Sequence, residues 1–399
     1  MDSAQRRLLR LLALTILFEG YGRALPTVVL PYIGDDLHVS APNLSFALAI
    51  IATGSLGILV LGPAADRFGR RRLLLASLLL YSVLGAGTAL AGTLSALVVW
   101  QAGARMFQEG ALAVAAVIAT EEMPAERRGE AQGLLGGANA LGAGLVALLL
   151  GGIEHMPGGW RGLAVVCLLP LLLLPFLRRT LPESQRWLSA STQPSPFNMA
   201  GYGSRAVAVL VVSFLAMACD LAGFAFTSYV PRVTYGWSPV AVSAMVIFAG
   251  GLGMPGWWLG GVLADRRGRR LAMAVFLVGL TLAQLAFFLG GERALWPAFA
   301  AMVFCQAGKT ATLRAWATEL FPTHVRGTTA AWLAASATLG GMTGLAAAGA
   351  LAPRLGGIGN ALAVISLTGL AAATVAWLHL PETRGLELEA IAPTPQRAD

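Results

Sequence analysis

Three short charged phrases each occur twice in this chain of 399 residues, at almost the same spacing. The pairs, separated by 199, 198 and 199 residues, are GPAADRFGRR at 62–71 and GVLADRRGRR at 261–270, EEMPAERRG at 121–129 and ELFPTHVRG at 319–327, and PES at 182–184 and PET at 381–383. Because this spacing is close to half of the chain length, the sequence predicts a duplicated half, and each copy should fold in the same way.

The composition indicates where such a duplicated chain lies. Apolar residues make up 56% of the sequence and charged residues only 12%, which is about half the usual share of a soluble domain. A spanning helix needs about 20 apolar residues, so the chain has room for on the order of twelve spans. Apolar stretches lie near residues 8–30, 43–65, 73–92, 95–119, 129–151, 161–178, 206–230, 240–264, 271–290, 294–318, 328–351 and 358–378.

The basic residues predict the orientation of these spans. The two termini and the loops on their side hold 20 of the 28 Lys and Arg residues, the opposite loops hold four, and the spans hold four. By the positive-inside rule both termini are expected in the cytoplasm of a multi-pass plasma-membrane protein. The net charge of +8 is thus a topology signal and does not indicate nucleic-acid binding.

The predicted fold class is an all-α membrane protein with twelve transmembrane helices in two pseudo-symmetric six-helix bundles. Its expected parts are an N-terminal bundle (1–179), a cytoplasmic connector rich in Pro, Ser and Gln (180–204), a C-terminal bundle (205–379) and a cytoplasmic tail (380–399). Glycines four residues apart, such as Gly133 with Gly137 and Gly340 with Gly344, are expected to let helices pack closely.

Few ionisable residues lie inside the predicted spans: Glu19, Arg23, Arg105, Glu109, Asp220, Lys309 and Arg314. A central charge costs about 2.5–3.5 kcal/mol on insertion scales, so such residues usually face a partner or a water-filled cavity. Four cations against three acids slightly favour an anionic substrate, and Lys309 is the only lysine of the chain. Asn139 and Gln306 could add hydrogen bonds to a substrate. Arg23, Glu109, Asn139, Gln306, Lys309 and Arg314 are therefore the predicted substrate-cavity residues.

The charged phrase between spans two and three resembles the G-x-x-x-D-R-x-G-R-R loop of the major facilitator superfamily, and its copy lies between spans eight and nine. Further matches are Arg105 in span four, ELFPT with Arg326 after span ten, PESQRWL after span six and PETRG after span twelve. Together they resemble the branch of sugar porters, organic-ion carriers and metabolite:proton symporters. This resemblance implies a transporter that works by alternating access.

Span one contains Phe18-Glu19-Gly20-Tyr21-Gly22, which is similar to the acid-Gly-aromatic-acid element of aromatic-acid and related proton symporters. Glu19 matches the first acid, and Gly22 replaces the second. The resemblance implies Glu19 as the proton acceptor and Arg105 as the cation that favours its ionised form. Asp220, on the matching span seven, has no basic residue four positions away and is the second candidate for proton coupling or substrate binding. The alternative is two local i to i+4 ion pairs, Glu19 with Arg23 and Arg105 with Glu109, that only neutralise each other.

The repeated loops could form a cytoplasmic gate that holds the two halves closed on the inside. The candidate gate residues are Asp66, Arg70, Glu121, Arg128, Glu183, Asp265, Arg269, Glu319, Arg326 and Glu382. Gly69 and Gly268 would permit the turns, and the two aspartates lie close to the helix start that follows. Alternatively, the arginines only orient the protein in the membrane.

Proton-coupled uptake of a small organic solute, an organic anion or a sugar-like metabolite, is the function that these features predict. The expected partners are the solute, protons and lipid, and the chain is expected to be a monomer with no cofactor, metal or nucleic acid. The alternatives are a proton-coupled exporter of organic or drug-like compounds and a membrane sensor that binds a solute without moving it. An enzyme is not expected, because the spans hold no nucleophile elbow, His-Asp pair or His-metal cluster.

Overall fold

The computed structural model describes residues 3–123, 127–181, 203–321 and 326–384, and this part of the chain is helical with no strand. Twelve long helical segments lie in these residues: α1 (Ser3–Val28), α2 (Ala41–Ala52, Thr53–Gly57 and Ile58–Phe68), α3 (Arg70–Gly87 and Thr88–Leu90), α4 (Leu94–Glu122), α5 (Arg128–Leu150), α6 (Trp160–Val165, Val166–Leu173 and Leu174–Thr180), α7 (Gly203–Ala225), α8 (Pro239–Ala244, Met245–Ala249, Gly250–Gly253 and Gly256–Arg267), α9 (Arg269–Leu289), α10 (Leu295–Glu319), α11 (Arg326–Leu351) and α12 (Ile358–Ser366 and Thr368–His379). Short turns of helix lie at Leu30–Asp36, Ile153–His155, Val230–Thr234 and Glu292–Ala294.

Ten of the twelve segments are long and apolar enough to cross a membrane, by length and composition. The other two, α1 and α10, are 26 and 25 residues long but carry most of the charges inside the predicted spans. Large apolar side chains are exposed on the helices, as with Leu252 at 74%, which suits a surface that faces lipid. The predicted all-helical membrane fold is confirmed, and the helix count agrees with the prediction of twelve spans.

The described residues form two compact units. Unit 1 contains the described residues up to 181 together with Arg232–Ala244, and unit 2 contains 203–231 and 245–384. Most of the predicted connector lies outside the described residues, so the proposed domain boundaries stay a prediction.

The same helix pairs pack together inside each unit. In unit 1, α1 packs on α5 and α6, and α4 packs on α2 and α3. In unit 2 the corresponding pairs are α7 with α11 and α12, and α10 with α8 and α9. The apolar core of unit 1 includes Leu12, Leu74 and Ile118, and that of unit 2 includes Val212 and Leu277. The repeat seen in the sequence is therefore also a repeat of packing.

Glycines allow the closest of these approaches. A Cβ on Gly142 of α5 would overlap the backbone of Leu17 and lie 2.7 Å from the amide nitrogen of Tyr21, both on α1. A Cβ on Gly344 of α11 would likewise lie 2.7 Å from the backbone carbonyl oxygen of Ala218 on α7. A Cβ on Gly133 would have nothing within 4 Å among the described atoms, and the same holds for Gly137. The close packing expected at that pair is therefore wrong, and α5 approaches α1 one to two turns later.

Glycine also makes the turns between α2 and α3 and between α8 and α9. Gly69 has φ of 95° and Gly268 has φ of 103°, a region that residues with a side chain rarely adopt. Each glycine ends one helix and directly precedes the next, so the two helices are joined by a single residue.

The close approach at Gly142 gives a matched pair of substitutions on α5. Gly142→Ala should lower the stability of unit 1 by about 1–3 kcal/mol, because the new methyl group meets backbone atoms that cannot rotate away. Gly133→Ala should be neutral or slightly stabilising, since alanine is the better helix former and its methyl group has open space. The thermal unfolding midpoints of the purified proteins in detergent test this, and equal midpoints would contradict the packing described here.

Candidate functional site

Arg23 lies between two carboxylates in unit 1. Its Nε is 2.8 Å from Oε1 of Glu19, one helical turn earlier on α1, and its Nη2 is 2.8 Å from Oε1 of Glu109 on α4. The Glu19 side chain is completely buried, whereas those of Arg23 and Glu109 are 30% and 20% exposed. A planar guanidinium can hold two carboxylates at once, so a single cation joins α1 to α4.

Two further helices complete the hydrogen bonding of these acids. Asn139 of α5 donates its amide to the second oxygen of Glu19. The hydroxyl of Ser55, in the 3-10 segment of α2, donates to Oε1 of Glu109 at 2.8 Å. Both acids are thus ion-paired and hydrogen-bonded, as a low-dielectric site requires, whereas Nη2 of Arg23 meets Glu109 as a charge contact without hydrogen-bond geometry. We call Glu19, Arg23, Glu109, Asn139 and Ser55 the unit 1 network.

Sequence reasoning missed Ser55. The available signal was a hydroxyl residue in an apolar span between Gly54 and Gly57. These glycines allow α2 to approach Met106 and its neighbours on α4, which brings the serine within reach of Glu109.

Arg105 lies beside the unit 1 network without joining it. It is partly buried on α4 and interacts electrostatically with Arg23, Glu109 and Glu19. Among the described residues it makes no ion pair within 4.0 Å. The local pair of Glu19 with Arg23 is present, whereas the local pair of Arg105 with Glu109 is not, because Arg23 has the contact with Glu109. The proton-coupling roles of Glu19 and Arg105 stay predictions.

There is a steric explanation for Gly22, the residue that replaces the second acid of the span-one element. A Cβ on Gly22 would lie 2.6 Å from Nε2 of Gln108 on α4. Gln108 is itself buried, so an acid at position 22 would have to displace it.

Unit 2 has a different arrangement on the corresponding helices. Asp220 of α7 and Lys309 of α10 form an ion pair through Oδ2 and Nζ, and their side chains are only 8% and 5% exposed. The other oxygen, Oδ1 of Asp220, is buried with no hydrogen-bond partner in the described part of the protein. Next to the pair, Gln284 of α9 is hydrogen-bonded to the thiol and the carbonyl oxygen of Cys219.

The two remaining cavity candidates of α10 lie apart from this pair. Arg314 is exposed and stacks its guanidinium over the Trp257 ring at 5.7 Å. The side chain of Gln306 is half-buried and has no hydrogen bond with Asp220 or Lys309 among the described contacts. Their assignment to a substrate cavity stays a prediction.

The charged phrases at the Gly268 end of unit 2 form one cluster. Arg269 holds Glu319 with two nitrogens, at 2.7 and 3.2 Å, and Asp265 with a third at 2.6 Å. Thr383 donates its hydroxyl to the same Glu319, and Trp316 donates to the carbonyl oxygen of Pro381 at 3.1 Å. Three sequence-distant phrases therefore meet in one polar cluster.

Glu382 caps the start of α9. Its carboxylate accepts the backbone N–H groups of Arg269 at 2.8 Å, Arg270 at 3.1 Å, Thr383 at 3.0 Å and Arg384 at 3.1 Å. Burial alone would raise the pKa of Glu382, but these four donors outweigh it, so the pKa lies below its ordinary value. A carboxylate at a helix N-terminus also gains from the backbone dipole.

The corresponding end of unit 1 has a similar ion pair, between Arg70 and Glu121. Arg71 donates to the carbonyl oxygen of Arg178 at 2.5 Å, as Arg270 does to that of Leu380. The other gate candidates, Glu183 and the side chains of Asp66, Arg128 and Arg326, lie outside the described residues. The ion pairs described among the gate candidates each join residues of the same unit, and closure between the halves stays a prediction.

Within the described residues, no three His, Cys, Asp or Glu side chains lie close enough to hold a metal ion. Each unit places buried carboxylates next to cations of its own helices.

Comparison with known families agrees with this geometry. The sequence model of the Major Facilitator Superfamily matches residues 12–308 and 259–396. These matches extend over nearly the whole chain, and the chain therefore belongs to this superfamily. The resemblance seen in the repeated loops is confirmed, and the chain is a multi-pass membrane transporter rather than an enzyme.

Several characterised or named relatives are similar over most of the chain. The putative niacin/nicotinamide transporter of Bacillus subtilis (strain 168) is 25% identical over 396 residues, which cover 97% of this chain and 98% of that protein. The gallate transporter of Pseudomonas putida is 26% identical over 381 residues, which cover 85% of this chain and 83% of that protein. The sialic acid transporter of Escherichia coli (strain K12) is 25% identical, with coverages of 70% and 69%.

Solved structures show the same fold. A bacterial homologue of the human lysosomal transporter Spinster has a TM-score of 0.78 at 16% identity, with 95% of this chain and 97% of that chain covered. The inward-open xylose transporter of E. coli also has a TM-score of 0.78, at 20% identity, with coverages of 97% and 99%. At these identities the likeness establishes the fold alone.

The cap at Glu382 predicts a pH-dependent loss of stability. Because the folded pKa lies below the ordinary value of 4.5, the stabilisation is present above that value and disappears as the pH falls through the folded pKa. Glu382→Gln should therefore lower the free energy of unfolding at pH 7 by a cap's usual contribution of about 1 kcal/mol, and by less at pH 3.5, which lies below the ordinary pKa.

Thermal unfolding in detergent at the two pH values measures this difference. Glu130→Gln is the matched control, because Glu130 is 62% exposed and its described ion pair is a loose one with Arg127 at 3.6 Å. A Glu382→Gln defect of the same size at both pH values would exclude the ionised carboxylate as its cause.

Proposed function

We propose that this transporter takes up a small organic solute, an organic anion or a sugar-like metabolite, together with protons. It would do so by alternating access in the plasma membrane, with both termini in the cytoplasm, as a monomer. The observation that carries this proposal is the fully buried carboxylate of Glu19, held by Arg23 beside a second cation, Arg105, that makes no described ion pair.

Charge balance explains how Glu19 would couple protons to transport. Glu19, Glu109, Arg23 and Arg105 sum to zero when all four are ionised. A proton on Glu19 removes its attraction to Arg23 and leaves the guanidinium with Glu109, so the contact within α1 can open while the contact between α1 and α4 remains. Protonation thereby changes which groups are paired without breaking unit 1 apart.

The relatives support the solute class. The three named above are described as transporters of niacin or nicotinamide, of gallate and of sialic acid, and another is a probable transporter of 4-methylmuconolactone. Most of these names denote small oxygenated organic compounds, and several denote carboxylic acids. Uptake is favoured over export because the charged phrases resemble those of sugar porters and metabolite symporters.

Uptake into proteoliposomes with an imposed inward proton gradient tests the proposal. Candidate solutes are nicotinate, gallate, sialic acid and xylose. One coupled proton permits up to about tenfold accumulation per pH unit, because one unit corresponds to about 1.4 kcal/mol. The parent should accumulate one of these solutes when the lumen is alkaline.

Glu19→Gln should abolish this accumulation but keep solute exchange across the membrane when solute is present on both sides, because exchange needs no net proton movement. Glu130→Gln serves as the surface control and should behave as the parent. Equal accumulation by Glu19→Gln and the parent would exclude Glu19 as the coupling acid. Solute binding without movement in either assay would favour the sensor.

A further inference from the structure

Lys309 of unit 2 is a buried cation, and in this structure its partner is the carboxylate of Asp220. Both side chains are more than nine-tenths buried, and Lys309 is the single lysine among 28 basic residues. A lysine ammonium is a compact point charge with three donors and no fixed geometry, so it can exchange one carboxylate for another.

The second oxygen of Asp220 is the unusual feature of this pair. Oδ1 is buried and has no hydrogen-bond partner among the described residues, although leaving a buried carboxylate oxygen unsatisfied is unfavourable. By contrast, Glu19 in unit 1 has partners on both oxygens, Arg23 and Asn139. A buried polar atom without a partner calls for a ligand or a functional role to explain it.

Few other groups act on Asp220. Lys309 on α10 is the charged group that interacts with it, and the neighbouring Cys219 thiol is the other titratable group beside it. Arg269 and Glu319, from α9 and α10, are engaged with each other at the Gly268 end of the unit. The ionisation of Asp220 and the availability of Lys309 are therefore linked one to one.

We propose that Lys309 is the binding site for the carboxylate of the transported solute, and that Asp220 occupies it until Asp220 takes up a proton. This inference rests on the proposed transport function and assigns its substrate class, a small carboxylic acid in its ionised form. The neutral carboxyl of Asp220 releases Lys309 and can donate its O–H to the incoming carboxylate. The proton comes from the surrounding water and forms the O–H bond of Asp220, no other covalent bond changes, and the site stays neutral because the charges of Lys309 and the bound carboxylate cancel.

Charge balance is what selects this order of events. An anion that entered next to the intact ion pair would leave a net charge of −1 in a dry site, which is strongly unfavourable. A proton on Asp220 removes that charge. Binding of a carboxylate should therefore weaken as the pH rises, whereas binding of a neutral analogue should not.

Ligand-induced shifts of the unfolding midpoint in detergent test this pH dependence of binding directly. The measurements are made between about pH 6 and pH 8, because simple carboxylic acids with pKa values near 4 stay ionised in this range. The probes are nicotinate, gallate, benzoate and acetate, each compared with a neutral analogue: nicotinamide, methyl gallate, benzamide and acetamide. In the parent, a carboxylate should bind at least tenfold more tightly at pH 6 than at pH 8.

Asp220→Asn is nearly isosteric, removes the competing charge and leaves Lys309 unpaired. It should bind the carboxylate at pH 8 at least tenfold more tightly than the parent, with little pH dependence. Adding Lys309→Gln removes both charges, so the double variant should fold but lose the preference for carboxylate over neutral analogue. Arg293→Gln, which changes an exposed cation just before the start of α10, is the control and should keep the parent behaviour.

The proposal is overturned if no carboxylate stabilises Asp220→Asn more than the double variant, or if Asp220→Asn keeps the pH dependence of the parent. These binding results do not depend on Glu19. If Glu19→Gln accumulates solute normally while Asp220→Asn behaves as expected, the coupling role of Glu19 fails and the Lys309 site stands.

Discussion

The cost of placing charge in hydrocarbon shapes both units. In unit 1 a single guanidinium lowers this cost: Arg23 forms ion pairs with a carboxylate on its own helix and with another on α4. One polar residue from α5 and one from α2, Asn139 and Ser55, donate further hydrogen bonds to these two acids. Four helices are thereby tied to one point, and each of them can otherwise remain almost entirely apolar.

The two units share their packing but not their chemistry. Equivalent helices make equivalent contacts, and the glycine-to-backbone approach of α5 on α1 is repeated by α11 on α7. The charges on those helices differ: at the 198-residue spacing of the repeat, Glu109 of α4 corresponds to Ala307 of α10, and Lys309 of α10 corresponds to Ala111 of α4. Backbone packing constrains where side chains can meet, and side-chain identity at those points is free to change. Duplication has therefore kept the scaffold while the polar residues diverged.

This difference between shared helix packing and divergent polar side chains explains what the sequence alone could predict. Apolar stretches and repeated phrases indicate the helices and the two halves, because span length and loop position follow from composition. The partner of Glu109 could not be predicted, since Arg105 lies one turn before it on α4 and Arg23 lies on α1, and only the packing of these two helices decides between them. Similarly, Gly133 and Gly142 look alike in the sequence, and only the rotation of α5 determines which of them meets α1.

The same contacts bear on how such a molecule can move. Arg269 directs its side chain to Asp265 and Glu319 while its backbone N–H meets Glu382, so the ends of α8, α9, α10 and α12 are held together at several points. Breaking one of these contacts leaves the others in place, which favours a unit that moves as one body, as alternating access between repeats requires.

The buried ion pairs in the middle of the helices are different. Each depends on the ionisation of a single carboxylate, so one proton is enough to change it. The helix ends are therefore held by several contacts at once, whereas each pair in the middle of the helices can be opened by the loss of one charge.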